Sequence, residues 1–250
     1  MPPTPRLSRA DVARSLENPA VFAEILCGEP LWPHQEVVAC SAARYRVLCA
    51  GRQAGKSRLL AVLALHEAFT VPGSRTLVVS AGEDAAKRVL AEVAALALGS
   101  PLLAGSVLDE SKSVLVLSTG STVLSVPASQ RQVRGWAIDL LIGDEAGFWP
   151  QELWQAAEPV IIARRSSRVV LCSTPWGGGD HFFRKLWQRG MDRPDGQVAG
   201  WHWPSSVSPL VDKSLLAGIE ERETPDYFAR EYLAQWTDEA GVYFTEQELS

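Results

Sequence analysis

Ala50-Gly51-Arg52-Gln53-Ala54-Gly55-Lys56-Ser57 stands between an apolar run, Tyr45-Arg46-Val47-Leu48-Cys49, and a leucine- and alanine-rich stretch, Arg58-Leu59-Leu60-Ala61-Val62-Leu63-Ala64-Leu65. The run reads as a buried strand and the stretch as a helix beginning directly after the loop. A glycine-bearing turn from strand to helix aims several backbone N–H groups and the positive helix end at one point, which is what a polyphosphate needs. In such a loop Lys56 reaches the β/γ-phosphates and the Ser57 hydroxyl holds Mg²⁺, so the pattern predicts binding of ATP or GTP. Ala50 occupies the place where the general pattern GxxxxGK[ST] has glycine, a small departure because alanine is nearly as small.

A second stretch, Asp139-Leu140-Leu141-Ile142-Gly143-Asp144-Glu145, runs from apolar residues into two adjacent carboxylates. It reads as a buried strand with acids at its C-terminal end, where open α/β sheets build their sites. Asp144 is expected at the Mg²⁺ hydration shell, and Glu145 is expected to polarise a water for in-line attack on the γ-phosphate. A solvated turn also carries such pairs, but this one follows Ser57 in a chain that already holds a phosphate loop.

The loop with its early arginine resembles the variant phosphate loop of the large terminase subunit, the DNA-packaging motor of tailed bacteriophages and herpesviruses. Three further stretches resemble the same family, in its order. Leu31-Trp32-Pro33-His34-Gln35 is similar to its adenine-reading motif, which implies a nucleotide contact by Gln35. Leu171-Cys172-Ser173-Thr174-Pro175 resembles its coupling motif, with Ser173 and Thr174 placed to sense the γ-phosphate. Tyr227-Phe228-Ala229-Arg230-Glu231-Tyr232-Leu233-Ala234-Gln235-Trp236 resembles the segment closing its ATPase lid.

The resemblance implies an ATPase that uses ATP and Mg²⁺ to drive double-stranded DNA into a procapsid. It implies the portal protein and the small terminase subunit as partners, in a homo-oligomeric ring on the procapsid, with a monomer expected in isolation. The host cell cytoplasm is the expected location. Large terminases continue into a metal-dependent nuclease built on an acidic cluster. No such cluster stands between Asp238 and Ser250, so the expectation is the ATPase half of a longer protein, without DNA cleavage by this chain. Two other readings share the chemistry: another nucleic-acid-dependent ATPase such as a helicase, and a non-catalytic module controlled by nucleotide.

Three arginines bear on catalysis. Arg52, inside the loop, either acts on the phosphate in cis or pairs with a carboxylate to hold the lid. Arg134, in Ser129-Gln130-Arg131-Gln132-Val133-Arg134-Gly135-Trp136, is the choice for an arginine given to the next subunit, because some large terminases carry an arginine followed by glycine at a matching place. Arg131 is its competitor.

Composition limits the reading further. The net charge of −5 means that the chain should hold duplex DNA weakly by itself, since non-specific binding is phosphate neutralisation by Lys and Arg. Arg164-Arg165 with Arg168, and Arg184-Lys185, are the local basic clusters. No apolar stretch approaches a bilayer span and no secretion signal opens the chain, so no membrane partner is expected. Cys27, Cys40, Cys49 and Cys172 lack paired metal spacing and read as reduced, buried thiols.

The periodicities predict an α/β fold: a P-loop NTPase with a mostly parallel central sheet flanked by helices, plus a small C-terminal lid subdomain. Strands are expected at 45–49, 76–80, 114–117, 123–126, 139–143, 168–172 and 198–203, the pair at 114–126 forming a hairpin. Helices are expected at 8–16, 19–26, 33–43, 83–98, 152–157, 181–189, 213–223 and 226–235, besides the one after the loop. The ATPase core is assigned to 1–200 and the lid to 201–250, with Trp201, Trp203 and Trp236 as lid packing.

Overall fold

The computed structural model describes residues 7–237 except 163, and the side chains of 83, 130 and 132 are also left undescribed. The stretch 238–250, on which the expected lack of a nuclease cluster partly rests, lies outside the described residues.

Eight strands form one sheet. They are β1 (Tyr45–Ala50), β2 (Arg75–Ser80), β3 (Val107–Glu110), β4 (Val114–Leu117), β5 (Thr122–Pro127), β6 (Leu140–Asp144), β7 (Arg168–Ser173) and β8 (Val198–Trp203), in the order β3-β4-β5-β2-β6-β7-β1-β8. Every pairing from β5 to β8 is parallel, and the predicted hairpin of β4 and β5 adds an antiparallel edge with β3. Along the parallel strands successive residues enter opposite cores. Val47, Leu141, Val169 and Leu171 face one cluster, while Leu48, Ile142, Val170 and Cys172 face the other. Near-continuous apolar runs are what a sheet covered on both faces requires.

The helices are α1 (Arg9–Glu17), α2 (Pro19–Ile25), α3 (Pro33–Ala39), α4 (Lys56–Thr70), α5 (Glu83–Gly99), α6 (Gln130–Val133), α7 (Gln151–Ala157), α8 (Phe182–Asp192), α9 (Lys213–Glu220) and α10 (Pro225–Glu231). Helix α4 is enclosed on all sides: Leu59 through Ala68 are all buried, apolar but for His66 and Glu67, between the sheet and the N-terminal helices. Asn18 accepts from the N–H groups of Ala20 and Val21, capping α2 as Pro19 opens it. Helices α7 and α8 cover the other face through Leu153, Trp154, Phe182 and Phe183.

Three expectations change here. Strand β8 runs across the assigned boundary at 200 and pairs with β1 from Val198 to Trp203, so the sheet extends past it. The tryptophans serve the sheet: Trp203 is buried in the α4-side core, Trp201 packs against that core, and Trp236 packs on Phe183 and Trp187 of α8. Cys27, Cys49 and Cys172 are buried free thiols as expected, whereas Cys40 is exposed at the end of α3. Among the described residues no helix is long and apolar enough to cross a membrane.

Candidate nucleotide site

Parallel register gathers the site. Cys49 of β1 lies beside Ser173 of β7, Cys172 beside Asp144 of β6, and Asp144 beside Ser80 of β2. The C-terminal ends of four strands therefore meet at the turn from β1 into α4. A cleft of about 660 Å³ opens there, in the range of small-molecule sites. Residues 52–58 form its floor, with Asp144 and Glu145 at one side, and Leu210, Leu215 and Ile219 opposite.

Gly55 caps α4 with φ of +89°, a conformation that side chains rarely adopt. A Cβ there would lie 2.6 Å from both the Gln35 amide nitrogen and the Trp32 ring. That close approach explains the upstream motif. Gln35 is fully buried; its Oε1 accepts from the Trp32 N–H at 2.8 Å and its Nε2 donates to the Gly55 carbonyl at 2.8 Å. His34 Nε2 lies 3.1 Å from the Ala54 carbonyl. Two consecutive side chains of α3 thus fix two consecutive carbonyls of the loop just before α4. Gln35 does not line the cleft, because both ends of its amide are engaged by the protein's own backbone.

Lys56 Nζ donates to the carbonyls of Ala50 and Gly51 at 3.3 Å each and lies 3.8 Å from Glu145 Oε1. Glu145 has φ of +50°, a strained setting for a non-glycine residue, and its Oε2 accepts from Ser173 Oγ at 3.1 Å. Strain of this kind gathers where a side chain must be aimed rather than merely packed. Ser173 is fully buried and Thr174 nearly so, with Gly147 packed tightly on both.

Asp144 is buried, with Oδ2 accepting from Ser80 Oγ at 3.4 Å and Oδ1 from Cys172 Sγ at 3.4 Å. Burial first, then the charge of Glu145, holds its carboxyl above the ordinary carboxylate range, against the opposing pull of Lys56. Two adjacent carboxylates share the single nearby ammonium of Lys56. Together with the exposed Ser57 hydroxyl at the start of α4, this oxygen donor set fits a small hard cation such as Mg²⁺.

Arg52 reaches across to α10. Its Nε lies 2.7 Å from Glu231 Oε2 of α10, and its N–H donates to the Glu231 carbonyl. Ser205 Oγ donates to the Arg52 carbonyl at 2.6 Å, and the Ser205 N–H donates to the carbonyl of Tyr232. Sequence reading overlooked Ser205, since one serine among Ser205, Ser206 and Ser208 carries no signal of its own. Arg131 and Arg134 lie elsewhere, in a shallow hollow with Arg75 and Trp136, and neither lines the cleft. Three arginines of the basic clusters make contacts within the chain. Arg164 pairs with Asp139 at 2.6 Å, Arg168 pairs with the buried Glu67, and Arg184 sits over the Trp236 ring.

Strand, phosphate loop, helix and a strand-end acid pair on a parallel sheet define the P-loop NTPase class. Comparison with known proteins narrows it. The family described as "Terminase large subunit, T4likevirus-type, N-terminal" matches residues 47–250, and the chain belongs to it. The large terminase subunit of Thermus virus P23-45 is 29% identical over 251 residues, covering 85% of this chain and 50% of that protein. The chain thus spans about half the length of the curated relatives it matches. Among solved structures, the large terminase ATPase domain of Thermus phage P74-26 superposes with a TM-score of 0.75 at 23% identity, over 88% of this chain and 99% of that one. The large terminase of a thermophilic bacteriophage in complex with ADP gives 0.64 at 14% identity, over 83% and 54%.

Proposed function

We propose that the chain is an ATPase domain that drives double-stranded viral DNA into a procapsid. The observation that carries this reading is the meeting of Lys56, Asp144, Glu145 and Ser173 at one cleft floored by a phosphate loop. Its support from outside is the terminase family match and the fold shared with a terminase solved with ADP.

Lys56 offsets the charge on the β/γ-phosphates as it grows toward the transition state, exchanging two backbone carbonyls for phosphate oxygens. Glu145 accepts a proton from the attacking water, with Ser173 holding the carboxylate in place. Ser57 and Asp144 would hold Mg²⁺, which supplies positive charge to the phosphates and orients them. The apolar side chains of Leu210, Leu215 and Ile219 form the wall against which a base and ribose would pack. Segment 205–237 acts as the lid, tied to the loop through Arg52 and Glu231.

The working form is a homo-oligomeric ring docked on the portal protein in the host cytoplasm, fed by the small terminase subunit. The isolated chain is a monomer that holds DNA weakly, and DNA cleavage is not part of its proposed activity. Phosphate release from ATP by wild type and by Glu145→Gln, with and without duplex DNA, tests the proposal. Turnover that needs Glu145, slow in the isolated chain, is expected; equal turnover in both proteins, or none in either even in an assembled ring, would overturn it.

A further inference from the structure

The turn after Glu145 and the loop after Ser173 each present one large aromatic side chain, and the two stack. The rings of Phe148 and Trp176 lie 4.7 Å apart, inclined by 23°. Both are about two-fifths exposed, so neither is seated by burial in a core and each rests on the other. The third member is Arg230 of α10, whose guanidinium carbon sits 4.9 Å over the Trp176 ring. Arg230 Nε also lies 3.3 Å from Glu231 Oε1, the carboxylate whose other oxygen pairs with Arg52.

These contacts close a loop around the site. From the phosphate loop it runs through Arg52, Glu231 and Arg230 to Trp176, then through Phe148 to the turn that carries Glu145. The turn is stiff: the Phe148 N–H donates to the Glu145 carbonyl, and a Cβ on Gly147 would lie 2.8 Å from Ser173 Oγ and 3.2 Å from Trp176 Cβ. A displacement of Trp176 therefore has a short path to the hydroxyl that holds Glu145. We infer that Trp176 is a positioning residue for hydrolysis, clamped between Phe148 and Arg230 so that the seating of α10 sets the aim of Glu145. Stacking and cation–π attraction supply the clamp, and neither needs the nucleotide.

The inference rests on the reading of Glu145 as the water-orienting carboxylate, and the experiment separates the two. Single-turnover hydrolysis of radiolabelled ATP and equilibrium binding of a fluorescent ADP analogue are measured on the 250-residue chain for wild type, Trp176→Ala, Trp176→Phe, Arg230→Gln and the double variant Trp176→Ala/Arg230→Gln. Trp176→Ala is expected to lower the hydrolysis rate roughly tenfold, the size of loss that a small misplacement of a reacting group produces, with ADP affinity changed less than about twofold. Trp176→Phe should recover most of the rate, and the double variant should be no slower than Trp176→Ala, because both remove one clamp. The half-exposed position makes truncation tolerable to the fold, and circular dichroism melting checks that. An unchanged rate in Trp176→Ala, an equal loss of rate and affinity, or additive losses in the double variant would overturn the positioning role while leaving the ATPase reading intact. Absence of turnover in wild type would overturn both.

Discussion

Arg52 and Glu231 form an ion pair 2.7 Å long in which the carboxylate is buried and the guanidinium is more than half exposed. The pair joins the phosphate loop to α10, so any nucleotide that draws Arg52 toward its phosphates must release Glu231. Removing Arg52 leaves a buried carboxylate with Arg230 as its remaining partner at 3.3 Å. Arg52→Ala is therefore expected to cost about 1 kcal/mol of nucleotide-free stability, a modest value because solvent screens the guanidinium. Urea unfolding at low and high salt checks it, and a loss independent of salt would show that packing rather than charge is at work.

Lys56→Ala should weaken ATP binding and abolish turnover, since the ammonium opposes phosphate charge in both ground and transition states. Calorimetric titration with ATP and a phosphate-release assay decide the matter. Affinity and turnover both intact would remove the phosphate-loop assignment. Glu145→Gln separates binding from chemistry: the amide keeps the size yet accepts no proton, so ATP should bind normally while hydrolysis falls about 10²- to 10⁴-fold.

Asp144 gives a pH signature. Its carboxyl titrates near about 3.9 in an unfolded chain and at higher pH in the folded one, where burial and then Glu145 favour the protonated form. Between those values the folded chain holds the extra proton, so stability falls as pH rises through that window, and the loss persists above it. Asp144→Asn removes the cost. The nucleotide-free variant is expected to melt higher than wild type at neutral pH, to lose that advantage below roughly pH 4, and to hydrolyse no ATP with Mg²⁺. Equal melting at neutral pH would mean that Ser80, Cys172 and Lys56 already offset the burial.

Much of this was legible in the sequence because the decisive signals are local. Apolar runs that end in Ala50, Asp144 and Ser173 name three central strands and their exposed ends, and glycine before Lys56 names the turn. Side-chain partners were less legible. Gln35 reads as a polar residue free to meet a base, but its acceptor is the carbonyl of Gly55, twenty residues away, and no spacing reveals that. Strand β3 escaped notice because Val107-Leu108-Asp109-Glu110 has no buried face; pairing with β4 alone makes it a strand. Strand β8 was recognised but placed at a domain boundary, since its partner β1 lies far away in sequence. The aromatic clamp at Trp176 was invisible for the same reason.

Arg134 remains the choice for the arginine supplied to a neighbouring subunit. It is exposed just after α6, beside Gly135 with φ of +86°, and it does not line its own chain's cleft. Arg52, the arginine inside the phosphate loop, is paired with Glu231. The isolated chain is accordingly expected to be a feeble ATPase, because an arginine finger contributes about 10³ to 10⁵ in rate. Arg134→Ala should leave ATP affinity of the monomer nearly unchanged and remove the extra hydrolysis of an assembled ring. Arg131→Ala, a change three residues away in the same hollow, serves as the control for position. The decisive measurement mixes Arg134→Ala subunits with Glu145→Gln subunits in one ring. Neither variant alone should show the extra hydrolysis, while a mixture juxtaposes an intact Glu145 on one subunit with an intact Arg134 on the next, so partial recovery of phosphate release is expected. Full activity in a ring made wholly of Arg134→Ala subunits would sink the assignment, and loss of activity in Arg131→Ala instead would transfer the role to that residue.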